Sequence, residues 1–375
     1  METLKIGSSG NIVQYLQSTL KLLGFYSGNI DGIFGNQTRQ AVLIFQREFG
    51  ISQDGIVGAN TWEKMSTFFY IVPTDVSYGS NILSINLDGF SRKFPFLEQG
   101  NIGYSVLRNE LKYVRFGNGP KQILYHASIH ANEWINSLVL MKFLENISMA
   151  YLNRNTIWGY SARSLFQQYS LYVVPMVNPD GVDLVVGNTQ KYNPNIFAYA
   201  KNLSKNYPQI VFPSGWKANI NGVDLNLQFP AEWEMARQIK FSQGFTMPGP
   251  RDFVGSAPLV APEARNLYNF TLGKDFLLTI SYHTQGQTIY WKFLNYLPPN
   301  SFEIGKHFSQ VSGYTLESTP YASGFAGFKD WFIQNYNRPG YTIETGTGQN
   351  PLPLTQFQEI YDANLGILVL GMLLV

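Results

Sequence analysis

The stretch YHASIHANEW, residues 125–134, holds His126 and His130, two of the four histidines in 375 residues, and Glu133 follows His130 by three positions. In a helical turn residues i and i+3 share a face, so His130 and Glu133 can offer a nitrogen and a carboxylate oxygen to one ion. Taken alone, the pair also fits an ordinary helix start, because acidic residues favour first turns. Two distant residues change that balance. His283 ends the apolar run FLLTISYH, and Glu344 ends GYTIE. If these runs are strands of an open α/β sheet, His130, His283 and Glu344 all fall at strand carboxyl ends, where such sheets bind ligands. Two histidines and one carboxylate with a fourth position open form the donor set of a catalytic zinc. The chain has no cysteine, so thiolate zinc sites and disulfide scaffolds are excluded. The other two histidines read as structural: His126 lies within a strand run and is expected in the core, and His307 in EIGKHFSQV is expected on a helix surface.

The elements that must position these residues are legible from about residue 81 onward. KQILYHAS, YSLYVVPMVN, FLLTISYH and GYTIET are short apolar runs, separated by helical stretches such as 134–149 and 261–272. Near-continuous apolar strands imply a sheet buried on both faces, hence an α/β fold: a mostly parallel mixed sheet flanked by helices. With 45% hydrophobic and 14% charged residues, the composition supports a large core and not disorder. A net charge of +2 without a basic run argues against a nucleic-acid partner. The terminal run LGILVLGMLLV is too short to span a bilayer and is expected to be a docked helix. The start METLKIGSSG has no apolar h-region, so no secretory signal is expected.

Residues 1–66 differ from the rest. Ile12, Val13, Leu16, Leu20 and Leu23 recur at helical spacing before Gly24, and Ala41, Val42, Phe45 and Phe49 do so before Gly50. DGIFGNQT at 31–38 returns as DGIVGANT at 54–61. Asp-Gly starts a turn, and the Thr falls near a helix start. The expected division is a small three-helix domain at 1–66, a packed linker at 67–80 and an α/β domain at 81–375.

The doubled DGxxGxxT, with LQSTLKLLGFYSG before it and AVLIFQREFG between, resembles the peptidoglycan-binding domain of bacterial wall enzymes. The α/β part resembles the zinc carboxypeptidases related to carboxypeptidase A. HASIHANEWINSLVLMKFLE, VVPMVNPDGVD, GVDLN, SYHTQGQTIYW, YASG and YTIETG follow that family's order. The resemblance implies that His130, Glu133 and His283 bind one zinc ion, that Glu344 is the general base, and that Tyr321 closes over the substrate. Asp224 would orient a ligand histidine, or it is a turn aspartate before Asn226. The family's Asn-Arg pair grips the terminal carboxylate of a substrate; here Asn226 remains and Leu227 stands in the Arg position. An isobutyl group cannot replace a guanidinium clamp. In WKAN, Lys217 either brings a point charge to the tetrahedral oxyanion or is a plain surface lysine.

Loss of the clamp beside a peptidoglycan-binding domain resembles one branch, the bacterial γ-D-glutamyl-diamino acid endopeptidases, which cut between D-Glu and meso-diaminopimelate. That branch includes sporulation-linked enzymes without export signals, so a cytoplasmic or spore-associated chain acting on cell wall stem peptides is expected. The alternative is a zinc carboxypeptidase of altered C-terminal specificity tethered to the wall. With every catalytic position after residue 129, removal of residues 1–66 is expected to weaken binding to wall material and to leave cleavage of small peptides nearly intact.

Overall fold

The computed structural model describes residues 1–375. The N-terminal part carries α1 (Asn11–Leu22), α2 (Asn36–Glu48) and α3 (Ala59–Met65). The sequence repeat has a physical basis. The buried Gln17 of α1 accepts from Gly32 N–H at 2.9 Å, and its amide faces Asp31 Oδ1 at 2.8 Å and Thr38 Oγ1 at 3.1 Å. Gln46 of α2 repeats this with Gly55, Asp54 and Thr61 at 2.9, 2.8 and 3.1 Å. Gly32 and Gly55 sit at φ +72° and +71°, where a side chain is strained, which is why each turn reads Asp-Gly. Each glutamine thus satisfies a loop that would otherwise bury unpaired polar groups.

The segment 67–80 is packed against its surroundings: Phe69, Val72, Val76 and Tyr78 are buried. Phe69 meets Tyr15 and Trp62 edge-on, with centroids 5.9 and 6.3 Å apart. Val72 N–H donates to Glu145 Oε2 at 2.9 Å. Ser18 and Asp75 are joined at 2.6 Å, Asn11 and Asn81 at 2.9 Å, and Glu2 and Lys191 at 2.9 Å. The apolar core of the N-terminal helices runs without a break into that of the α/β part. This continuity bears on the expectation that small-peptide cleavage survives removal of residues 1–66, because removal would uncover part of that core.

After α4 (Ser80–Lys93) come β1 (Glu98–Tyr104), β2 (Glu110–Phe116), β3 (Lys121–Ala127), α5 (Ile135–Leu152) and β4 (Tyr169–Val174). Then follow α6 (Pro262–Leu272), β5 (Phe276–Thr284), β6 (Thr288–Tyr290), α7 (Ser301–Ser312), β7 (Thr315–Glu317), α8 (Phe328–Tyr336), β8 (Gly340–Thr345) and α9 (Phe357–Leu373), with further helices in the connections. The eight strands form one sheet in the order β1-β2-β4-β3-β5-β8-β6-β7. The four central strands β4, β3, β5 and β8 are parallel. They are the four apolar runs read from the sequence. The edges are mixed: β1, β2 and β4 pair antiparallel, and β6 runs antiparallel to β8. These edges escaped the sequence reading because β1 is half-exposed with no alternation, and β6 and β7 are three residues long.

Alternation along β3 shows how both faces are filled. Ile123 and Tyr125 enter the core shared with α5 and α9, whereas Leu124 enters the core shared with α6 and α8. Tyr125 OH donates to Leu368 O at 3.0 Å, which ties α9 to the sheet. The apolar C-terminal run is therefore a docked helix, and no helix of the chain is long and apolar enough to cross a membrane.

Candidate active site

β3 ends at Ala127, and the chain enters a 3₁₀ turn, Ala131–Glu133, with His130 as its N-terminal cap. With three residues per turn, His130 and Glu133 are eclipsed, and Nδ1 of His130 lies 3.0 Å from Glu133 Oε1. His283 arrives from the end of β5, its Nδ1 3.0 Å from Glu133 Oε2 and 3.2 Å from His130 Nδ1. The main chain there is held: Asn136 Nδ2 donates to His283 O at 2.8 Å, and Thr345 Oγ1 donates to Asn136 Oδ1 at 2.8 Å.

These residues fit a zinc ion. Their ligand atoms all lie within 4.8 Å of one another. The 3.0–3.2 Å spacings are close to the edge of about 3.3 Å of a tetrahedron with zinc bonds of about 2.0–2.1 Å. His130 Nε2 is 3.2 Å from Asp224 Oδ1, and that outer bond leaves Nδ1 with its lone pair inward. The pocket also seeks positive charge. Burial pulls the His130 imidazole down, but Glu133 and Asp224 outweigh it and bring it to about 9. Burial raises the Glu133 carboxyl, and Lys217 and His130 reverse this and hold it well below the usual range.

Glu344 lies opposite His283 in the parallel β5–β8 register, so the two side chains leave the sheet on one face. Its carboxyl is raised above the ordinary value by burial, with Glu133 adding to this and His283 and Lys217 opposing it. Lys217 is not at the surface: its Nζ lies 2.8 Å from Glu133 Oε1. Asp224 is buried, accepting from Asn226 N–H at 3.2 Å and Asp252 N–H at 3.0 Å as well as facing His130. Asn226 Oδ1 accepts from Phe328 N–H at 3.1 Å, so half of its amide is spent on the start of α8. Leu227 is a buried wall of the cleft. Tyr321 is 67% exposed. Its hydroxyl faces Met235 Sδ at 3.5 Å, away from the cluster. His126 is buried, bonded to Ser281 Oγ at 2.7 Å, and burial depresses it to about 3, so it stays neutral. His307 is exposed on α7.

Two cavities meet beside this cluster, and the smaller one reaches His130 and His283. One, of about 200 Å³, is lined by Asn226, Leu227 and two buried ion pairs, Lys240–Asp252 at 2.7 Å and Lys329–Asp330 at 2.6 Å. The other, of about 540 Å³, is lined by Asn132, Gln209, Gln285 and Asn350. Lys217, Arg251, Tyr290 and Glu344 border both. The sequence reading missed Arg251, Lys240, Asp252, Lys329 and Asp330. Their side chains reach the site from the 250 loop, the helix before it and the first turn of α8, and no spacing in the sequence marks them.

Residues 85–365 match the zinc carboxypeptidase family, and residues 9–65 match a peptidoglycan binding domain. The chain is 43% identical over 301 residues to gamma-D-glutamyl-L-diamino acid endopeptidase 1 of Lysinibacillus sphaericus, covering 80% of this chain and 73% of that protein. Over 60 residues, 16% of this chain, it is 47% identical to the spore cortex-lytic enzyme of Bacillus cereus, of which this covers 23%. Carboxypeptidase A from Helicoverpa armigera superposes with a TM-score of 0.59 at 15% identity over 97% of this chain and 94% of that one, a likeness of fold. On the family match, which spans most of its length, the chain belongs to the zinc carboxypeptidases and carries an N-terminal peptidoglycan-binding domain.

Proposed function

We propose that this metallopeptidase hydrolyses the γ-D-glutamyl–meso-diaminopimelate bond of bacterial wall peptides. A peptidoglycan-binding module at 1–66 and a packed segment at 67–80 lead to a catalytic domain at 81–375. The observation that carries this reading is the charge of the smaller cavity. Leu227 and Tyr290 are its only large hydrophobic side chains, and two buried ion pairs line it. An apolar C-terminal side chain would find few apolar partners in a cavity with these walls. Diaminopimelate ends in an ammonium and a carboxylate on one carbon, which suits a cavity lined by charged side chains of both signs. The specificity named for the Lysinibacillus relative supports the same reading. Similarity of the N-terminal module to the spore cortex-lytic enzyme supports a setting in spore wall material.

His130, Glu133 and His283 would hold zinc. Zinc, when bound, supplies a Lewis acid that acidifies water and polarises the scissile carbonyl. Asp224 keeps His130 in the ligating tautomer. Glu344 takes the proton of the attacking water and passes it to the leaving amine; its raised carboxyl suits both halves of that exchange. Lys217 sets a point charge beside the developing oxyanion. Asn226 offers its free amide N–H groups to the leaving group, Leu227 walls that side, and Tyr321 folds in from the rim.

The test is incubation with L-Ala-γ-D-Glu-meso-diaminopimelate and mass analysis of the products. The expected products are L-Ala-D-Glu and free diaminopimelate, with hydrolysis abolished by chelation and restored by zinc. Equal rates on this peptide and on a blocked dipeptide ending in Phe would favour a carboxypeptidase of altered specificity instead.

A further inference from the structure

The two cavities take different halves of the substrate. Asn226 and Leu227 stand in the leaving-group clamp positions, so the cavity they line takes the leaving group. On that assignment the larger cavity, across Glu344 and Lys217, is left for the acyl part, and Arg251 borders both cavities. Lys217 and Arg251 are the cations that reach it. Lys217 is already engaged, 2.8 Å from Glu133 Oε1.

Arg251 is differently placed. Its Nε donates to Asp252 Oδ2 at 2.5 Å, and its side chain is 43% exposed. No hydrogen bond within the chain uses its Nη groups. Asp252 is itself fixed: Lys240 Nζ lies 2.7 Å from Oδ1, and Asp252 N–H donates to Asp224 Oδ2 at 3.0 Å. The guanidinium is thus oriented at one edge and open at the other, the geometry that receives a carboxylate through two parallel bonds.

We propose that Arg251 binds the free α-carboxylate of the γ-linked D-glutamyl residue; this rests on the substrate class inferred above. In a γ-glutamyl amide the scissile carbonyl is that of the side chain, so the α-carboxylate remains free on the acyl side, within a few bonds of the reacting carbon. An α-linked peptide has no such group there. The guanidinium absent from position 227 on the leaving-group side is supplied from the 250 loop to the acyl side. The contact selects γ-linked substrates and makes or breaks no covalent bond.

The test compares kcat/KM on L-Ala-γ-D-Glu-meso-diaminopimelate with the same peptide carrying an α-carboxamide on D-Glu, for wild type, Arg251→Met and Arg251→Lys. A third peptide is amidated on diaminopimelate. Wild type should prefer the free D-Glu acid about ten- to a hundredfold, the range of a charge-assisted hydrogen-bonded pair. Arg251→Met should bring that ratio near one, through KM for the free acid, with zinc content unchanged. Arg251→Lys should fall between, because an ammonium keeps the charge without the fork; its ratio decides the matter if the Met variant folds poorly or loses zinc. The proposal is overturned if wild type does not distinguish the two D-Glu forms, if the ratio survives in the variants, or if the discrimination lost is against the diaminopimelate amide. Failure of the substrate class itself looks different: wild type would then cut none of the three peptides.

Discussion

Replacing Asp224 by Ala separates two roles for this carboxylate: orienting His130, or closing a turn before Asn226. In the structure it makes contacts of both kinds. Oδ1 faces His130 Nε2 at 3.2 Å and accepts from Asn226 N–H at 3.2 Å, while Oδ2 accepts from Asp252 N–H at 3.0 Å. Asp224 is 4% exposed, so no bulk water replaces those bonds. Truncation orphans two backbone N–H groups at about 1–3 kcal/mol each, a stability loss of about 2–6 kcal/mol for the zinc-free protein. Loss of the outer bond to His130 should separately weaken zinc about 10–100-fold. The assays are thermal unfolding of the zinc-free chain and zinc affinity by chelator competition at a temperature where both proteins are folded. Wild-type zinc affinity in a destabilised variant would refute the orienting role and leave a turn aspartate. Unchanged stability would refute the account of the two orphaned N–H groups.

Glu344→Gln should bind zinc like wild type and lose about a hundredfold or more in kcat, the contribution of a positioned proton-transfer group; near-wild-type turnover would mean that another residue is the base. Glu263, buried and accepting from Val106 N–H at 3.0 Å and Asn219 Nδ2 at 3.1 Å, is pushed up to about 7, chiefly by burial. Its folded value exceeds its unfolded one, so this contribution to stability is full below the unfolded pKa of about 4.3, falls through the interval and is lost above about 7, on the order of 3 kcal/mol in all. Glu263→Gln should flatten the wild-type decline of Tm between pH 5 and 8, and an unaltered slope would show that other groups carry it. Deleting residues 1–66 should lower Tm sharply or give insoluble protein, because Phe69, Val72 and Tyr78 pack into the shared core at about 1.5–3 kcal/mol per large side chain; a soluble truncation with wild-type Tm and small-peptide rate would show that the two parts are independent.

Much of the candidate site's geometry is local and therefore legible in the sequence. The spacing of His130 and Glu133 is a property of one turn, and the four central strands announce themselves as apolar runs because both faces of the sheet are buried. His283 and Glu344 could be placed with them because strand ends in a parallel sheet share one edge. The glutamines that organise the DGxxGxxT turns were visible as residues, but their function needed the helices that deliver them. Register was decided only by the tertiary structure: a one-residue slip of β8 against β5 would turn Glu344 to the opposite face from His283. The meeting of His130 with Asp224 across 94 positions was likewise settled only in space. So was the convergence of Arg251, Lys240, Asp252, Lys329 and Asp330 on one cleft. Sequence periodicity records which face of an element is buried against its neighbours, so it carries the core and the strand ends. It carries nothing about which loop side chains will share a cavity, because that depends on crossovers and packing between segments with no period of their own.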